Sequence, residues 1–396
     1  MPRFEPFRAL RYAPDIDLDA VIAPPYDVLS PLDVAALRAH DEHNIVWVDV
    51  PEGTEVGQYA PASYAEAGEL LREWIAQGTL VLDDTPGFTI YRMRFSDATG
   101  QPRDIAGVLG ALEVMDADAG GVLPHERTTP KASTDRLDLT RATAANMSPV
   151  WGLSLATGLT NLLAFPGEPV GSLIVDKVEH VVERVTNPER CAAIATRVGA
   201  SDVLIADGHH RYGVARQYRD EVRAATGLSD TPAELTLAFI NELVDEQLSI
   251  EAIHRLYDGI SLDELRAKLS EYFKLSPAPA PTPALLADMV ELERLTLLHP
   301  DGTAEWLTPL PGAFDGVRAL DGAWLEHALT ETGVEVSYQH GLSEVLTALN
   351  GHSAGVLIRP TSLAEIMRTA TEGLLMPPKS TFFTPKLRTG LVIRPL

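Results

Sequence analysis

Apolar positions along this chain recur with two different periods, and the switches between them outline its elements. From Ser63 to Ile75, the residues Tyr64, Ala67, Leu70, Leu71 and Trp74 fall three and four apart, which predicts a helix with one apolar face. An earlier helix is predicted to begin at Ser30, with Pro31 in its first turn and Asp33 near its positive end. Asn44 to Val50 is a short apolar run and reads as a buried strand. Phe88 to Phe95 alternates apolar and polar positions, Ile105 to Val114 is a second strand-like run, and Asp97-Ala98-Thr99-Gly100 between them has turn chemistry. Residues 116 to 149 are polar and punctuated by Gly120-Gly121, Pro124, Pro130 and Pro149, so they read as a long surface segment.

Beyond residue 200 the period changes abruptly. Val203 to Ala206 is a short apolar strand, Asp207-Gly208 breaks it, and Tyr212, Ala215, Tyr218 and Val222 then recur at helical spacing. Leu235 to Leu243, Leu295 to Leu298 and Ala354 to Ile358 read as further strands. The proline-rich stretch 277 to 283 is stiff and extended, a linker or surface loop. Ser362-Leu363-Ala364-Glu365 has the spacing of a capping box at the start of the last helix. No internal repeat is visible. The fold class expected is α/β, or α+β, with a boundary between residues 259 and 285.

Composition narrows the function. The chain has 396 residues, 45% of them apolar and 22% charged, which suits a folded protein of two or three domains. Acidic residues outnumber basic ones by 56 to 32, for a formal charge of -24. Such a surface repels phosphate backbones and anionic membranes, so neither nucleic acid nor membrane is an expected partner. The segment from Met1 to Ala13 carries charges and prolines where a secretory signal needs an apolar stretch, and Val150 to Phe165 is too polar to span a bilayer. A cytoplasmic location is expected. Cys191 is the single cysteine, which excludes an intrachain disulfide and a cysteine-rich zinc site.

Candidate chemistry concentrates in three clusters. Asp207-Gly208-His209-His210-Arg211 lies where a strand turns into a helix. The first helical turn leaves backbone N–H groups unpaired and carries positive dipole character, so it is suited to an anion that Gly208 lets approach. Arg211 can fork onto phosphate oxygens, and His209 and His210 can donate hydrogen bonds. Asp207 can bind Mg²⁺ carried by a nucleotide or simply cap the helix. Leu123-Pro124-His125-Glu126-Arg127-Thr128 offers Glu126 as a base for an attacking hydroxyl, or as a solvated carboxylate. Pro377-Pro378-Lys379-Ser380-Thr381 offers one cation and two hydroxyls, although no Walker pattern occurs. Tyr26-Asp27, Asp135-Arg136 and His254-Arg255 are lesser candidates, as supports of a site or as surface ion pairs and loop anchors.

In this order the clusters resemble the archaeal ADP-dependent free serine kinase, a member of the ParB and sulfiredoxin-like superfamily. The resemblance is carried by Pro124-His125-Glu126, by Ile205 to Arg211, and by Val356-Leu357-Ile358-Arg359 with Pro378-Lys379-Ser380-Thr381. Over nearly its full length the chain also looks like a large bacterial family of unknown function (DUF1015), through Pro24-Pro25-Tyr26-Asp27-Val28, Leu123 to Thr128, Asp135-Arg136, Asp207 to Tyr212, and Pro377 to Leu387. The kinase resemblance implies Glu126 as catalytic base and Asp207 as catalytic or Mg²⁺-binding carboxylate. It implies nucleotide and phosphate contacts from Gly208, His209, His210, Arg211, Lys379, Ser380 and Thr381, with His125, Asp135, Arg136, Tyr26 and Asp27 supporting them.

The implied activity is transfer of a phosphoryl group from ADP or ATP to the hydroxyl of a small metabolite, L-serine being the first candidate. Domains are expected at 1–104 (N-terminal α/β region), 105–258 (ParB-like nucleotide and phosphate-binding core) and 259–396 (C-terminal α/β region returning the Lys-Ser-Thr loop to the site). Glu126 and Asp207 are 81 positions apart, which leaves room for an insertion that the archaeal enzyme lacks. Two other readings stand beside this one: a sensor of nucleotide or phosphometabolite without turnover, and a metal-dependent phosphatase or hydrolase using His125, His209 and His210. Adjacent helical histidines point about 100° apart, which disfavours the last. A homodimer is the default assembly for such a protein.

Overall fold

A computed structural model of the chain describes residues 1–53, 61–97, 100–116, 119–124, 133–330, 332–377 and 379–396. The fold is mixed α/β and divides into two units: Met1–Asp97, Gln101–Leu248 and Pro385–Leu396 form the first, and Ser249–Thr384 form the second.

The first unit is organised on a nine-stranded mixed sheet. Its order runs Val122–Leu123, Val203–Asp207, Val150–Ser154, Leu235–Glu242, Pro102–Glu113, Phe88–Ser96, Val178–Val185 and Glu168–Val175, with Phe4–Glu5 paired to Pro102–Glu113. The central strands read as near-continuous apolar runs because both of their faces are covered. Phe88, Val108, Ile194, Val203 and Ile240 form part of one buried cluster. Three helices pack in series beside the sheet: Pro61–Gln77 against Ser133–Thr143, and that helix against His209–Thr226. The first contact is close because Gly68 has no side chain; a Cβ there would lie 2.3 Å from the carbonyl oxygen of Ala142.

Two sequence expectations change here. Asn44 to Val50 is not a strand: Val46–Asp49 is a single helical turn. Apart from the half-buried Trp47 its apolar residues are buried, a condition that period alone does not assign to helix or strand. Asn44 decides it locally, since its side chain accepts from the Val46 N–H (3.1 Å) and donates to the carbonyls of Ala20 and Ile22. The polar segment 116 to 149 is not all surface loop either, because Ser133–Thr143 is a helix with Leu137 and Leu139 buried. By contrast, the helix opening at Ser30 carries a full capping box with Asp33.

The second unit holds a six-stranded sheet in the order Phe273–Pro277, Ala304–Pro309, Leu295–Leu298, Ala354–Leu357, Ile253–Asp258 and Glu335–His340. Every pairing along it is antiparallel. The proline-rich stretch falls between the strand Phe273–Pro277 and the helix Pro283–Glu291, inside this unit. Its first and last strands, Ile250–Glu251 and Phe382–Phe383, pair with each other.

Candidate functional site

The strand Val203–Asp207 lies between Val122–Leu123, to which it is parallel, and Val150–Ser154, to which it is antiparallel. Its register slips after Ile205, so that Asp207 rather than Ala206 faces Trp151. A bulge of this kind re-aims the side chain at the end of a strand. Gly208 follows with φ 84° and ψ 29°, a left-handed conformation suited to glycine, and opens the helix His209–Thr226. A Cβ on residue 208 would stand 3.0 Å from the guanidinium of Arg211, so the glycine also makes room for that side chain to fold back over the turn.

Asp207 does not cap the helix; its carboxylate is held by cations instead. Arg211 Nη2 donates to Oδ2 at 2.9 Å, and Lys386 Nζ lies 3.5 Å from Oδ1. Burial alone would raise the carboxyl's pKa, but Lys386, Arg211 and His209 together hold it well below the usual carboxylate range. Arg211 also donates through Nη1 to the carbonyl of Pro149, while its Nε is buried with no hydrogen-bond partner among the described residues. Lys386 arrives on the segment Pro385–Leu396, which is fixed to this unit by bridges from Thr389 to Ala23 and from Ile393 to Leu10, and by burial of Leu387, Leu391, Val392 and Ile393.

A second charged group adjoins the first. Asp49, 3% exposed, accepts from Arg136 Nη1 at 3.2 Å, and the same nitrogen bonds the Asp49 carbonyl at 2.7 Å. Arg136 lies over the ring of Tyr26, 4.1 Å from its centroid, and also bonds Asp135, which accepts from the Tyr64 hydroxyl. Burial pushes the Tyr26 phenol up to about 12, with a further rise from Asp27 against the opposing fields of Arg211 and Arg136. Tyr26, Asp49, Arg136, Asn146, Ser148 and Arg211 line a cavity of about 50 Å³ between them. That is enough for a few waters, and Asp49 Oδ2 and Arg211 Nε are both left for such waters to satisfy.

Of the residues singled out from sequence, Tyr26, Asp27, Asp135, Arg136, Asp207, Gly208 and Arg211 thus share one neighbourhood, linked by contact or by field. His209 and His210 occupy the first turn of the same helix. His125 and Glu126 lie outside the described residues. Lys379, Ser380 and Thr381 belong to the second unit, where Ser380 Oγ donates to Pro377 O and Thr361 Oγ1 to Ser380 O. Sequence reasoning missed Asp49 and Lys386. A single Lys between Pro385 and Leu387 carries no local pattern, and Asp49 was hidden in a run read as strand.

The donor set described around Asp207 does not fit a resident divalent cation. Both carboxylate oxygens face cations, which would repel a third. Among the described residues no three His, Cys, Asp or Glu side chains gather as metal ligands. What the arrangement can do is hold an anion, with Arg211 and Lys386 fixed by Asp207 beside a helix start.

A strand, a left-handed glycine, a helix start and two oriented cations define an anion-receptive turn on a mixed α/β frame. The chain belongs to the family described as protein of unknown function (DUF1015), which matches residues 4–323. No curated protein matches it. Among solved structures it is similar to a free serine kinase variant in complex with ADP, at 13% identity and a TM-score of 0.38, covering 67% of this chain and 84% of that one. It is also similar to SbnI with C-terminal truncation from Staphylococcus aureus (13% identity, TM-score 0.39, 72% and 87% covered). A conserved hypothetical protein from Pyrococcus furiosus matches at 12% identity with a TM-score of 0.36, covering 67% and 87%. Likeness of this order assigns neither residues nor activity. No described helix is long and apolar enough to cross a membrane.

Proposed function

We propose that the protein is a phosphotransferase that moves a phosphoryl group from a nucleotide to the hydroxyl of a small metabolite, with the turn at Asp207–Arg211 receiving the donor's phosphates. The observation that carries this reading is the convergence of Arg211 and Lys386 on Asp207 at a glycine-opened helix start. Helix N-termini and oriented cations together favour phosphate oxygens, and in phosphoryl transfer most of the acceleration comes from such positioning and neutralisation.

In this reading the core is ParB-like, ADP or ATP is the donor, and L-serine is the first acceptor to test. Glu126 accepts the hydroxyl proton, the freed oxygen bonds phosphorus, and the bond from phosphorus to the donor's bridging oxygen breaks. His209 and His210 contact the phosphates. Asp207 is a positioning residue for Arg211 and Lys386.

Phosphorus NMR of the purified chain with Mg²⁺, ADP or ATP, and L-serine is the test. The expected result is a new phosphomonoester signal that vanishes in Glu126→Gln while nucleotide still binds, since loss of a base lowers rate more than affinity. Nucleotide binding without product from a broad pool of hydroxyl metabolites would make the protein a sensor. No nucleotide binding would sink the proposal.

A further inference from the structure

The second unit contains a cleft of about 300 Å³ lined by Arg255, Arg359, Asp321, Glu293, Ser362 and apolar side chains including Val290, Leu320 and Ile358. Its volume is at the small end of metabolite pockets. Most of the polar lining is locked. Asp321, 6% exposed, takes Arg359 through two guanidinium nitrogens (2.7 Å from Nη2, 3.1 Å from Nε) and also accepts from the Arg359 N–H at 2.8 Å. Glu365, at the far side of the Ser362 cap, is held by Arg318.

Arg255 is only 3% exposed; it donates to the carbonyls of Ile253 and Lys379 and stacks on Tyr338. Two guanidinium groups are therefore fixed in rigid settings, next to the start of the helix Leu363–Glu372 and its Ser362 hydroxyl. This part of the lining favours an anionic group.

Glu293 differs from the other carboxylates of the cleft. It follows the helix Pro283–Glu291 with φ 51°, a left-handed conformation unfavourable for a residue with a side chain. Its carboxylate has no hydrogen-bond or ion-pair partner among the described residues, yet its field reaches Arg359. A simple anion entering the cleft would meet Glu293, and a simple cation would meet Arg359 and Arg255. A ligand carrying both signs satisfies each.

We infer that this cleft binds a small zwitterion of α-amino-acid size, its acidic group on Arg359 and the start of the helix Leu363–Glu372, its ammonium on Glu293. Val290, Leu320 and Ile358 then accommodate a short side chain. A carboxylate and a phosphate share this recognition chemistry, so an amino acid and an aminoalkyl phosphate are its two sources. The inference does not rest on phosphoryl transfer and is tested without nucleotide.

Calorimetric titration of the full chain uses L-serine, L-leucine and ethanolamine phosphate as zwitterions, with propionate and propylamine as half-ligands. The expected result is that at least one zwitterion binds tenfold or more tightly than either half, and which zwitterion it is separates the two sources. Glu293→Gln is expected to weaken that zwitterion at least fivefold, leave propionate no weaker, and leave the melting temperature unchanged, because the side chain is exposed and unpaired. Amide shifts on binding are expected at residues 290–293, 320–322 and 358–365. Equal binding of propionate and the zwitterions, indifference to Glu293→Gln, shifts elsewhere, or no binding of any zwitterion overturns it.

Discussion

Asp49 and Asp207 lie within the field of the same guanidinium, that of Arg211, yet their acidities move in opposite directions. At Asp49 burial wins: the carboxyl's pKa is raised despite Arg136 and Arg211, and the nearby charges of Asp27 and Asp135 add to the rise. At Asp207 two cations and His209 outweigh burial, and the pKa falls. Counting arginines does not distinguish the two. What does is whether both oxygens are engaged: Asp49 keeps one buried and unpartnered, whereas Arg211 and Lys386 take one oxygen each of Asp207. The first arrangement is a strained structural link, and the second leaves oriented cations beside a helix start.

The sharpest way to break this contrast is Arg136→Ala. It leaves a buried carboxylate uncompensated, and urea unfolding is expected to show a loss of about 3–5 kcal/mol, partly restored when Asp49→Asn is added. A loss under about 1 kcal/mol would mean that Asp49 is already neutral in the native state.

Gly208→Ala comes next in size. It forces a side chain into a left-handed backbone against Arg211, with an expected cost of about 1–3 kcal/mol and weakened nucleotide binding, while the link from Arg136 to Asp49 stays intact. Lys386→Met is expected to weaken nucleotide about tenfold, near 1.4 kcal/mol, and also to lower stability at neutral pH, because Lys386 is the foremost charge acting against the burial of Asp207. Unchanged affinity there would remove Lys386 from the proposed site.

The smallest effect is in the acid limb of stability. Asp49 has a folded pKa above its unfolded value, so its contribution is greatest below the ordinary value of about 3.9 and is lost as pH rises through the folded pKa. Asp207 has a depressed folded pKa, so its contribution is present above about 3.9 and is lost as pH falls through the folded value. Stability measured by urea from pH 7 to 3 should therefore lose part of its gain on mild acidification in Asp49→Asn. It should lose part of its fall below pH 4 in Asp207→Asn. Identical profiles for the two variants would erase the distinction.

The parts of this site that a sequence reveals are those built locally. The change from strand to helix at Asp207-Gly208 is written in the period of its apolar residues, and Ser30 and Ser362 announce helix starts because a cap is a contact between near neighbours. Asn44 to Val50 holds a single helical turn rather than a strand, and its period is hidden because a run buried except for the half-buried Trp47 has no polar face to reveal it. Asp49 finds its partner 87 residues away in Arg136, and Lys386 joins Asp207 from the far side of an entire second unit. Such pairings follow from sheet order and chain return, neither of which has a local signature.

That return has a kinetic consequence. Ser249–Thr384 behaves as a guest inserted in a host, and its two ends are bonded together, Thr384 N–H donating to Ser249 O at 3.0 Å. Before the guest folds, bringing the Lys386 segment back to the host means closing a loop of well over a hundred residues; afterwards it means closing a gap of neighbouring strands. Folding of the guest first should therefore accelerate assembly of the Asp207 site, and permuting the host so that Pro385–Leu396 precedes Met1 should uncouple the two rates.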